Sequence, residues 1–236
     1  MNWERIKNFL IILFVGINIF LIGFMFSSVR KSTSVTDAVV EDTVRLLGAN
    51  SIAVEGENIP LSVNNPGTLD VVAINVESQY TCSKPLTTSN AVGEIKKALK
   101  ALGVKNTVIS KTNETEYYIM QKIKDNFIYD SGISASLDGN NIKLKGVWYK
   151  QQTKPRSTEI DMMPVTAILI DFMNNPNRDA ALHNKIESIG VGYCVPQYDS
   201  GVDHKSMPAV PCYSIKTENG TMFLYDALRG VYLKSK

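Results

Sequence analysis

Histidine, cysteine and net charge are all scarce in this chain of 236 residues. It holds two His, three Cys and a formal charge of only +2, from Lys+Arg 25 against Asp+Glu 23. So small a basic excess speaks against a general nucleic-acid binder, which needs a positive surface to meet phosphates. Three cysteines cannot frame a disulfide-rich mini-protein. The two imidazoles, His183 and His204, sit in no motif, and no G-x-S-x-G occurs, so a Ser or Cys nucleophile has no evident base. His183 is followed by Asn184-Lys185, and the cysteines stand at 82, 194 and 212, which is not zinc-ligand spacing. Gly190-Val191-Gly192 begins like a dinucleotide loop, but the third glycine is missing and there is no P-loop. The expectation is no catalytic His or Cys, no metal and no cofactor. Spacing does not exclude paired carboxylates, because glycosidase acids can be far apart in sequence. Glu57, Glu77, Asp161, Asp171, Asp199 and Asp203 are candidate surface acids. They leave a cell-surface hydrolase as the alternative to a protein without enzymatic activity.

What the chain does have is a long apolar run. Residues 8–29 read NFLIILFVGINIFLIGFMFSSV, without one charged side chain. As a helix the run is about 33 Å long, enough for the ~30 Å hydrocarbon core of a bilayer. It is longer than the apolar core of a cleaved signal, and it leaves through Ser27-Ser28-Val29-Arg30 without a small-x-small exit. We read an uncleaved signal anchor over 8–29, with 1–7 as a cytoplasmic leader and 30–35 as a linker. Arg5 and Lys7 precede the span and Arg30 and Lys31 follow it, so the positive-inside rule gives only a slight push. The short basic leader favours a cytoplasmic N-terminus and an extracellular remainder. Between Phe9 and Phe26, Asn18 is the one strongly polar side chain, and Gly16 and Gly23 let backbones approach. An amide in hydrocarbon is satisfied by a neighbouring helix or by its own.

The rest reads as an α+β ectodomain. Thr36 or Asp37 caps a helix to Leu47, with Gly48 as its stop. Residues 69–76 form a β-branched strand. The clearest helix is 91–102, with Val92, Ile95, Leu99 and Leu102 as its apolar stripe, Lys96, Lys97 and Lys100 outward, and Gly103 at its end. Strands follow at 104–110, 117–123, 127–136 and 142–149, the last two joined by the turn Asp138-Gly139-Asn140-Asn141. The polar segment 150–159 with Pro155 marks a boundary between a first lobe, 36–150, and a second, 151–236. In the second, Pro164 opens a helix carrying Val165, Ile168, Leu169, Phe172 and Met173, which Asn174-Asn175-Pro176 ends. A short helix over 178–186 and a strand over 189–195 come next. A closing meander uses 209–217, 221–225 and 231–233. Each half places helix before meander, so the expected architecture is two small antiparallel sheets, each with helices on one face. Cys194 and Cys212 fall on strands of the second half, and either a disulfide or two buried thiols fits.

Two stretches resemble the YycI/YycH family of Gram-positive bacteria, YycI most of all. One is Met1-Asn2-Trp3-Glu4-Arg5-Ile6-Lys7 leading into Ile17-Asn18-Ile19-Phe20-Leu21. The other is Ala209-Val210-Pro211-Cys212-Tyr213-Ser214-Ile215, then Asn219-Gly220, Tyr225-Asp226-Ala227 and Gly230. The resemblance implies a bitopic membrane protein that regulates a cell-wall two-component system. Its partners would be the membrane sensor histidine kinase, a sister YycH-like protein and the lipid bilayer, with no nucleic acid. It also implicates the anchor helix in that contact, with Gly16, Asn18, Phe20 and Gly23 as the partner-binding residues. An extracytoplasmic binding or inhibitory module is a further alternative.

Overall fold

The computed structural model describes residues 35–157, 160–196 and 206–236. The apolar run 8–29, with Gly16, Asn18, Phe20 and Gly23, lies outside them. Among the described residues, no helix is long and apolar enough to cross a membrane. The described chain is α+β. Its helices are α1 (Asp37–Ala49), α2 (Ala91–Ala101) and α3 (Val165–Asn174). Its strands are β1 (Leu69–Thr81), β2 (Thr107–Lys111), β3 (Glu116–Ile123), β4 (Asn126–Asp138), β5 (Asn141–Gln151), β6 (Ile186–Cys194), β7 (Met207–Thr217), β8 (Met222–Asp226) and β9 (Tyr232–Ser235).

All nine strands belong to one sheet, not two. The order β2-β3-β4-β5-β1-β7-β8-β9 runs continuously, and β6 pairs with both β4 and β7. The joint between the halves is β1, which bonds β5 along Val71–Thr81 and β7 through Leu69, Asp70 and Val71. Because β6 reaches back to β4, the pairings β4-β5-β1-β7-β6-β4 close a circuit. Among the pairings of these strands, only the β4/β6 contact, Phe127↔Gly192 and Ile128↔Tyr193, is parallel. Leu69, Val71, Ile128, Tyr149, Tyr193 and Ala209 fill the space this circuit encloses. A Cβ at Gly192 would stand 2.4 Å from the Phe127 carbonyl oxygen, so only glycine lets the two backbones come this close.

Two further cores flank the circuit. In one, Ala91, Ile95, Ala98 and Leu99 of α2 cover Val76, Ile119, Ile133, Leu144 and Trp148. In the other, Val40 and Leu47 of α1 pack with Val165, Leu169 and Phe172 of α3 against Tyr213, Ile215, Phe223 and Tyr225. Helix α1, first in sequence, thus lies on the strands of the C-terminal half.

Three local departures have clear causes. Residues 178–186 hold no helix: 178–184 are turns and loop, Lys185 bridges to Ala53, and Ile186 opens β6. Asp179 Oδ1 accepts the N–H groups of Ala181 and Leu182, and His183 Nδ1 accepts the Asp179 N–H at 3.0 Å. These side-chain bonds compete with the helical ladder and win. Strand β7 begins at Met207 and so includes Pro208, at a point where β6 has not yet joined; that pairing starts at Val210. Finally, the stripe of α2 is rotated. Ile95 and Leu99 are buried with Ala91 and Ala98, whereas Val92 and Leu102 are 37% and 43% exposed.

Candidate functional site

Leu102, the exposed C-terminal end of that stripe, borders an unfinished sheet edge. Beyond Val71, β1 has β5 on one side and, among the described residues, no strand on the other. Which backbone groups face outward follows from the ladder. Asp70 bonds toward β5, its carbonyl accepting the Gln152 N–H at 2.8 Å, and the Cys82 N–H bonds the Asn140 carbonyl at 2.7 Å. Antiparallel pairing alternates, so even-numbered residues of β1 bond β5. The N–H and C=O groups of Ala73, Asn75, Glu77, Gln79 and Thr81 therefore point out of the sheet.

This edge runs beside a groove of about 410 Å³. Ile74, Val76 and Ser78 of β1 line its floor with Trp148 of β5, which lies opposite Ile74. Leu102, Gly103 and Val104, where α2 ends, form the wall. Gly103 takes φ +72° there, the left-handed turn that terminates the helix. Ile74 is 42% exposed, unusual for a β-branched residue on a helix-covered face. Natural edge strands are usually blunted by Lys, Pro or a bulge. From Ala73 to Thr81 this one has no Lys and no Pro, and its register with β5 is unbroken. Glu77 is the only charged residue in that stretch.

The residues singled out from sequence are scattered. Glu77 lines the groove, while Glu57 borders a different, open cavity between α1 and the loop after it, with Asp37 and Glu41. Asp161 and Asp171 are exposed on separate elements, and Asp199, Asp203 and His204 lie outside the described residues. His183 is buried, its ring edge-on to Phe223 with centroids 4.9 Å apart, which is a packing role. Cys194 and Cys212 are free thiols, both fully buried beside Leu224. Burial and the neighbouring Cys194 thiol raise the pKa of Cys212. Among the described residues, no group of His, Cys, Asp and Glu is arranged to hold a metal ion.

Sequence reasoning passed over two polar residues that hold the circuit together. Asp130 lies on β4 with its side chain only 4% exposed; Oδ2 accepts the Val195 N–H at 2.6 Å, and Oδ1 pairs with Lys234. Gln121 on β3 is buried, and its amide bonds both the N–H and the C=O of Tyr149. Each follows an apolar residue within a strand, so nothing local distinguishes it.

No family model and no curated protein matches this chain. Among solved structures, it is similar to an uncharacterized protein from Eubacterium rectale ATCC 33656, with 10% identity and a TM-score of 0.38. The match covers 63% of this chain and 56% of that one.

Proposed function

We propose that this protein is a single-pass membrane regulator that works by binding, with no enzymatic activity of its own. In this reading residues 8–29 anchor it, the N-terminus is cytoplasmic and the α+β unit lies outside the cell. It modulates the sensor histidine kinase of a cell-wall two-component system, together with a YycH-like sister protein. The anchor helix biases the kinase by packing differently against its signalling states, through Gly16, Asn18, Phe20 and Gly23. The ectodomain supplies a second contact. The observation that carries a binding role is the open β1 edge beside the exposed Ile74 and Leu102. The uncharged run and the resemblance to YycI support the membrane part.

The test is co-purification from native membranes. The full chain should bring down a histidine kinase, and scrambling residues 9–26 while keeping their composition should abolish this. Wall-stress signalling that is unchanged after deletion of the gene would refute the reading.

A further inference from the structure

We infer that the open edge of β1 takes up an extended, acidic segment of a partner protein as an additional strand. This deepens the reading of that edge as the ectodomain's contact surface, and rests on it.

Ala73, Asn75, Glu77, Gln79 and Thr81 offer outward N–H and C=O groups in strand spacing, a template about 30 Å long. A peptide laid along them gains main-chain hydrogen bonds whatever its sequence. Side chains supply the selectivity. Every second residue of the added strand faces the α2 side, over the groove made by Ile74, Val76, Trp148 and Leu102. Those positions favour aliphatic residues, which would cover the exposed parts of Ile74 and Leu102.

Charge decides between occupants. Lys150 lines the groove, Lys100 lies in the last turn of α2, and Lys105 follows the wall residue Val104. Lys145 sits on β5 opposite Glu77. All four lysines are exposed, and Glu77 is the one carboxylate on the edge itself. An acidic strand is attracted to this surround. A second copy of the chain, paired edge to edge, brings only Glu77 as an acidic group on its own edge and so does not complement these lysines.

The experiment uses the full-length chain in detergent and an end-capped heptapeptide of alternating Glu and Val, fluorescein-labelled. The peptide should bind, and added salt should weaken it. A Lys/Val peptide of the same pattern should not bind. On binding, amide exchange should slow at Ala73, Asn75, Glu77 and Gln79. Asn75→Pro removes an outward N–H without touching the β5 ladder and should abolish binding. Leu102→Glu, on the exposed wall, should weaken it by about tenfold or more. Equal affinity for the Lys/Val peptide would overturn the inference, as would binding without protection of those amides. So would protection already present before peptide is added, in a dimer or through residues 197–205 of the same chain. Kinase co-purification is read separately, so loss of the peptide result leaves the proposed function standing, and the reverse also holds.

Discussion

Replacing Gln121 by Met removes two hydrogen bonds while nearly preserving side-chain length and volume. The bonds exist because β4 leaves β5. β3 and β4 lose register between Ile119 and Gln121, and β4 pairs with β5 only from Gly132 onward. Between these points β4 swings to β6, and the Tyr149 backbone on β5 faces a gap. The Gln121 amide fills it, Nε2 donating to the Tyr149 carbonyl at 2.6 Å and Oε1 accepting the Tyr149 N–H at 3.0 Å. Gln121 is 5% exposed, so water does not replace it. A buried backbone group left unpaired costs about 1–3 kcal/mol, so Gln121→Met should lose about 2–6 kcal/mol. Domains are stable by about 5–15 kcal/mol, so the loss is large. Gln121→Glu keeps the acceptor but loses the donor and buries a charge, and should be at least as damaging. Urea unfolding of the full-length chain, followed by circular dichroism, measures the difference. Native-state hydrogen exchange at the Tyr149 amide locates it. A Gln121→Met variant within about 0.5 kcal/mol of wild type, with the Tyr149 amide still protected, would refute the account.

Asp130→Ala leaves Lys234 unpaired and the Val195 N–H without its acceptor, and should cost about 3–5 kcal/mol in thermal or urea unfolding. Gly192→Ala places a methyl group against the Phe127 carbonyl and should loosen the parallel β4/β6 contact, read as faster exchange at Ile128 and Tyr193. Burial raises Tyr149, Tyr193 and Tyr213 to about 12, above the ordinary phenol value of 10.0. The native state holds these protons more tightly than the unfolded chain, so their contribution is complete below pH 10 and is lost as pH rises through about 12; unfolding midpoints should fall across that window. Cys194 and Cys212, with no exposed surface, should resist a thiol reagent in the native chain and react on unfolding.

Most local elements are legible in the residue pattern, because their signals are local. Apolar spacing in 165–173 and the Asn-Asn-Pro stop delimit α3, and the glycine-asparagine turn at 139–140 joins β4 to β5. The α+β class follows from those elements. That one sheet, rather than two, unites them follows only from long-range pairing. Leu69, Asp70 and Val71 pair with β7 more than a hundred residues away, and no periodicity within β1 encodes that partner. The same holds for the site. Ala73–Thr81 reads as an ordinary strand, and it is an open edge only because β7 meets β1 for three residues and then departs. Val92 and Leu102 satisfy the helical stripe by spacing, yet α2 buries its alanine side instead, since short side chains let the helix sit closer to the sheet. Periodicity names the face that can be buried; the partner surface sets how much of it is.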